Sequence, residues 1–192
     1  MIEKLTGFRD VGQALFPGIP PPPGAAAVVS DLIRNMAVDP ESIHGISHWE
    51  RVAWFGAYIC RREQANGLVA AWFACFHDCR RLNDGSDRGH GPRAADFLKL
   101  FSPGDLGLTR AEKETLAFAC RHHTHERVTE DPTVWACWDA DRLDLPRIGV
   151  AVDPSRLFTE SARRVVRSPE MLSPDIAGSA PGGGGKRKPQ PV

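Results

Sequence analysis

Five ionisable side chains in three short stretches set the chemistry open to this sequence. His48 stands in Ser47-His48-Trp49-Glu50, His77 and Asp78 adjoin at the end of the apolar stretch Leu68 to Phe76, and Asp139 and Asp141 fall in Trp138-Asp139-Ala140-Asp141-Arg142-Leu143-Asp144. Two ionisable groups at the end of a core segment are costly unless they are paired or ligated. A divalent cation takes an imidazole nitrogen and a carboxylate oxygen together. A mixed nitrogen and oxygen set suits Mn, Fe, Co, Ni, Mg or catalytic Zn better than a thiolate site would. Successive helical residues point about 100° apart, so His77 and Asp78 reach one ion only near a helix end. His48 and an aspartate of the third stretch, coming from other helices, complete a set of two imidazoles and two carboxylates. A regular helix sends Asp139 and Asp141 to different sides, so only one of them joins it.

The elements that must bring these stretches together read as helices throughout. Ala25 to Ala37 carries Val28, Leu32, Ile33 and Met36 at helical spacing. Ser47-x-x-Glu50 has the form of a capping box and predicts a helix starting at Ser47, with Asn66-Gly67 as its stop. Leu68 to Cys79 is apolar nearly all round up to His77, which predicts a helix in the core. Asn83 to Asp87 reads as a loop, and Pro92 as the first residue of a helix ending near Phe101. A second capping box, Thr109 to Glu112, opens a helix to His122 or His123. Asp131-Pro132 opens another through Leu143, and Ser155 to Val166 closes the series. Strand-like alternation is almost absent. The expectation is an all-α bundle of six or seven helices.

Composition narrows the class further. The chain has 192 residues, 42% of them apolar and 25% charged, with a formal net charge of +0. A neutral balance gives no overall field toward nucleic acid. The apolar stretches are too short to span a bilayer, and the N-terminus carries no secretory signal. Five cysteines without a C-x-x-C pair read as reduced, buried thiols of a cytoplasmic protein, with Cys79 close to the His77 doublet. Residues 1–24 end in Pro20-Pro21-Pro22-Pro23 and read as an N-terminal arm and linker. Residues 25–167 form the helical domain. Residues 168–192, with four consecutive glycines and Lys186-Arg187-Lys188, read as a disordered basic tail.

The stretches His48-Trp49-Glu50-Arg51-Val52, His77-Asp78 and Asp139-Ala140-Asp141-Arg142-Leu143-Asp144, in that order along residues 25–165, resemble the HD-domain superfamily of metal-dependent phosphohydrolases. The resemblance implies an HD-domain-like bundle with His48, His77, Asp78 and Asp141 as metal ligands, and one divalent ion per chain. Members that bind two ions use further histidines between the doublet and the last aspartate. His90, His122 and His123 lie in that interval, so His90 is expected to bind a second ion or to touch substrate. The implied activity is hydrolysis of a phosphate ester or nucleotide by metal-activated water. His77, Asp78, His122 and Asp144 are the catalytic candidates, the last two as proton handlers beside Asp139. Guanidinium groups clamp phosphates in bidentate fashion, which makes Arg80, Arg81, Arg93 and Arg142 substrate-binding candidates with His90, and Arg88 a weaker one. Arg51 is expected to pair with an acidic group across helices, and His44 and His125 to lie at the surface or outside the ligand set. The partner is a small phosphorylated substrate, with no membrane and no specific nucleic acid, and the protein a monomer or homodimer. The alternatives are a di-iron oxygenase on the same fold, using His90 and one of His122 or His123, and a non-catalytic, metal-stabilised module that binds a nucleotide.

Overall fold

A computed structural model describes residues 13–125 and 128–168. Residues 1–12 of the expected arm and the expected tail beyond Ser168 lie outside the described residues. The helices are α1 (Ala25–Arg34), α2 (Ile46–Glu63), α3 (Gly67–Phe76), α4 (His90–Phe97), α5 (Arg110–His122), α6 (Pro132–Leu143) and α7 (Glu160–Arg167), with single 3-10 turns between several of them. No strand occurs among the described residues. The architecture is an HD-domain-like helical bundle.

Apolar patterning explains the layout. In α3, every residue from Val69 to Phe76 is buried, as a helix without a polar face requires. It lies at the centre, with α2 and α6 packed on each other and on it, and α4 and α5 pairing on its far side. Trp49, Trp72 and Trp138, from α2, α3 and α6, are each no more than 1% exposed and form the middle of the core. The Trp72 indole N–H donates to the Leu106 carbonyl at 2.8 Å and that of Trp138 to the Ala119 carbonyl at 3.0 Å, so neither buried donor is left without a partner.

Several helix ends differ from the sequence expectation, each for a local reason. α2 begins at Ile46 with Gly45 as its N-cap and no side-chain cap, so Ser47 does not form the expected capping box. The preceding turn folds back so closely that a Cβ at Gly45 would meet the Pro40 carbonyl oxygen at 2.0 Å, and the Ile46 amide donates to that oxygen at 2.8 Å. Gly45→Ala is therefore expected to lower stability by about 1–3 kcal/mol in urea unfolding. α2 ends at Glu63 through a left-handed Gln64 (φ 55°), not at Asn66-Gly67. Asn66 instead caps α3, its side-chain oxygen accepting from the Leu68 and Val69 amides at 3.0 and 3.1 Å. α4 starts two residues before Pro92, at His90, and tightens into a 3-10 turn after Phe97. α1 ends at Arg34, short of Ala37. α7 starts at Glu160, capped by Thr159, and not at Ser155. The Thr109–Glu112 capping box and the Asp131 cap form as the spacing requires.

Residues 13–24 are not a detached arm. Leu15 and Phe16 are 0% and 1% exposed, and the Phe16 ring meets Trp72 edge-on at 4.9 Å. The proline run bends along the bundle after its apolar residues have been placed.

Candidate metal centre

α3 stops at Phe76, and the doublet occupies the turn that follows. The His77 amide still donates to the Phe73 carbonyl at 2.9 Å, while Cys79 and Arg81 close tight turns back to Phe76 and Asp78. This is the helix end that two adjacent ligands require. His48 comes from the second turn of α2 and Asp141 from the last turn of α6. Their atoms converge: His48 Nε2 lies 3.0 Å from His77 Nε2, 3.5 Å from Asp141 Oδ1 and 3.7 Å from Asp78 Oδ2. His77 Nε2 lies 3.7 Å from Asp141 Oδ1 and 3.8 Å from Asp78 Oδ2.

The hydrogen bonds behind these rings fix their tautomers. His48 Nδ1 is 2.7 Å from Asp144 Oδ2, and His77 Nδ1 faces the carbonyls of Phe73 and Ala74 at 3.0 and 3.1 Å. Each Nδ1 faces only acceptors and so carries the proton, which leaves each neutral ring with a bare Nε2. Two lone pairs therefore face each other at 3.0 Å beside two carboxylates. Burial pushes the His77 pKa down to about 3, so that ring stays neutral. Burial alone would raise the Asp78 carboxyl, but the charge of His77 and hydrogen bonds from His123 and His44 outweigh it and hold it well below the usual carboxylate range. Asp141 is likewise held low against its burial, by His77, His48 and His123. The separations match a shared cation: bonds of about 2.1 Å at right angles put neighbouring ligand atoms about 3.0 Å apart. The residues present thus fit a divalent metal ion.

The same arrangement recurs on the other oxygen of Asp78. His90 Nε2 lies 3.1 Å and His123 Nε2 3.8 Å from Asp78 Oδ1, and the two nitrogens are 2.7 Å apart. His123 Nδ1 donates to the Cys120 carbonyl at 2.8 Å and His90 Nδ1 to that of Asp87. The groups His48–His77–Asp141 and Asp78–His90–His123 could each hold a metal ion, and so could His44–His48–Asp78. Gly91 makes the second group buildable, because a Cβ there would meet the Cys120 carbonyl oxygen at 2.6 Å and the His123 ring at 3.2 Å.

Other expected residues are placed elsewhere. His122 is turned toward Phe118, ring centroids 4.7 Å apart, and it is His123 that enters the cluster. Asp144 faces away from the reacting side: it holds the back of His48 and takes the Arg51 guanidinium at 2.6 Å. Asp139 caps α7, accepting from the Phe158 and Thr159 amides at 3.0 and 2.7 Å. Arg142 leans on that carboxylate and over the Phe158 ring, not toward the cluster. Arg80 donates to the Asn35 carbonyl and lies over Phe97. Arg93 braces Asp87 and the Arg80 carbonyl. Arg88 and His125 are exposed. Of the arginines expected to bind substrate, Arg81 is the one that reaches the centre, with Nη1 3.4 Å from Asp78 Oδ1. All five cysteines are free and buried; burial pushes the Cys79 thiol up, which excludes a thiolate beside the doublet.

Two residues at the site went unassigned or were placed outside it. His44 is buried, with Nδ1 2.8 Å from Asp78 Oδ2. Arg147 bridges Ile43, His44 and Asp144 from the turn after α6. The Asp144–His48 hydrogen bond orients a ring whose outer nitrogen faces the cluster. Asp144→Asn is expected to weaken metal binding about 10- to 100-fold without unfolding the chain, read by competition with a fluorescent chelator.

The fold and the His/Asp centre define an HD-domain-like protein with a site that could hold metal. A crystal structure from an uncultured Thermotogales bacterium, described as a predicted HD superfamily hydrolase, superposes with a TM-score of 0.59 at 24% identity, covering 79% of this chain and 88% of that one. No protein-family model matches the chain, and no curated protein does.

Proposed function

We propose that this protein is a metal-dependent phosphohydrolase acting on a phosphate ester or nucleotide, with His48, His77, Asp78 and Asp141 holding the ion. The observation that carries the reading is the pair of fixed Nε2 lone pairs of His48 and His77, 3.0 Å apart and faced by two carboxylates. The hydrolase description of the Thermotogales structure points the same way. A bound divalent ion supplies Lewis acidity and lowers the pKa of coordinated water. The chain's own groups do the rest. Asp144 locks the His48 tautomer and Arg51 holds Asp144. Asp141 is the open side of the cluster, its side chain 23% exposed against 0% for His48 and His77, and substrate approaches there. Arg81 turns one guanidinium nitrogen toward Asp78, where it meets an anionic oxygen. His44 is the buried imidazole beside Asp78 left for proton work, in place of His122 and Asp144.

A test is turnover by the metal-stripped full chain of 4-nitrophenyl phosphate and a panel of nucleotides, with Mn, Ni, Co or Mg added. The expected result is phosphate release that EDTA abolishes and added ion restores. Stoichiometric metal with nucleotide binding and no turnover of any ester would favour the non-catalytic module. The Asp78–His90–His123 group supports one second reading, a di-iron oxygenase. It requires two irons per chain and oxygen uptake without phosphate release.

A further inference from the structure

The metal-centre reading has a consequence for how its second half fills. Charge divides unevenly across Asp78. On the Oδ2 side, His48 and His77 are joined by two carboxylates, Asp78 and Asp141. On the Oδ1 side, His90 and His123 bring no carboxylate beyond the shared Asp78. A cation of the chain already stands there. Arg81 Nη1 is 3.4 Å from Asp78 Oδ1 and 3.4 Å from both ring nitrogens of His90, so it lies against the ring instead of donating to one atom of it. Arg81 is 7% exposed and tied down by the Gly85 carbonyl at 2.7 Å and the Asn83 carbonyl at 3.3 Å. Asp144, the other nearby carboxylate, is neutralised by Arg51.

The bare nitrogens of His90 and His123, 2.7 Å apart, still call for a cation. Thr124 Oγ1 reaches His90 Nε2 at 3.3 Å and can satisfy one of them, not both. Two divalent ions together with Arg81 would set five positive charges against the two carboxylates of Asp78 and Asp141. Little water reaches the site to screen the excess, which makes it expensive. An anionic oxygen that touches the ion and the guanidinium together removes it.

We propose that the His90–His123 position takes a second divalent cation only together with an anionic phosphate oxygen, and that Arg81 imposes this coupling. The second ion and the phosphate then strengthen each other's binding by the same factor, as linkage requires. The site arms itself when substrate arrives, and in the resting protein it holds one ion.

The experiment is titration of the metal-stripped full chain with Mn²⁺, read by elemental analysis and electron paramagnetic resonance, with and without inorganic phosphate. The expected result is one tight Mn²⁺ per chain without phosphate. With phosphate, a second binds about tenfold tighter or more, and the spectrum becomes that of a coupled pair. Arg81→Gln takes the second Mn²⁺ without phosphate, and Arg81→Lys, which keeps the charge, retains the coupling. The proposal is overturned by a second ion that binds equally well without phosphate, by none in either condition, or by an Arg81→Gln protein that is folded and still phosphate-dependent. Failure of even the first Mn²⁺ to bind would sink the metal-centre reading itself, a distinguishable result.

Discussion

Asp78→Ala is expected to lose bound metal and phosphate-ester turnover together, with activity falling about a thousandfold or more. The size of the effect follows from the double duty of this carboxylate: Oδ2 faces His48, His77 and His44, and Oδ1 faces His90, His123 and Arg81. Removing it deprives both halves of their shared oxygen donor and strips Arg81 of its buried partner. Asp78→Asn keeps the shape of the side chain but not its charge, and is expected to lose metal as well. Together the two variants separate ligation from packing, because a loss caused only by altered packing would be confined to the alanine protein. Metal content by elemental analysis, kcat, and the circular dichroism spectrum are the readouts. Undiminished turnover by either variant would refute the assignment.

The largest stability effect is expected at Trp72. Its side chain is fully buried, meets Phe16 and Phe76 at ring centroid distances of 4.9 and 5.9 Å, and donates to the Leu106 carbonyl. Trp72→Ala removes these contacts and leaves that carbonyl without its donor. The cost is about 3–5 kcal/mol, a large share of the 5–15 kcal/mol that typically holds a domain folded. In thermal unfolding Tm should drop by about 10 °C or more. Trp72 also sits one turn before the doublet, so metal affinity is expected to weaken as α3 loosens. A loss below about 1 kcal/mol would contradict the placing of residues 13–24 against this helix.

What could be read in the sequence depended on how local its cause was. The caps at Thr109 and Asp131 and the burial of α3 follow from residues within a few positions of one another. Convergence of His48, the His77 doublet and an aspartate followed from an ordered motif, as did the helical bundle itself. Choosing between neighbours needed helix register. Leu116, Ala119, Cys120 and His123 run along one buried stripe at intervals of three and four, while His122 falls on the face of Phe118. That stripe was present in the sequence and would have selected His123. Other roles had no local trace. Asp139 spends itself on backbone amides about twenty residues later, and Asp144 and Arg51 meet across 93 residues. The arginines after the doublet were separated by loop geometry alone: Arg80 reaches back to Asn35, while Arg81 is drawn inward by the carbonyls of Asn83 and Gly85. Gly45 displaced Ser47 as the cap because of a close approach by Pro40 that spacing cannot reveal.

The central claim is that one divalent ion is shared by an imidazole from α2, the doublet after α3 and a carboxylate from α6. Anomalous X-ray diffraction at the Mn edge, on crystals of the full chain grown with Mn²⁺, tests it most directly. The account predicts an anomalous peak within bonding distance of His48 Nε2, His77 Nε2, Asp78 Oδ2 and Asp141 Oδ1. A metal-free cluster under saturating Mn²⁺, or a peak bound by other residues, would contradict it.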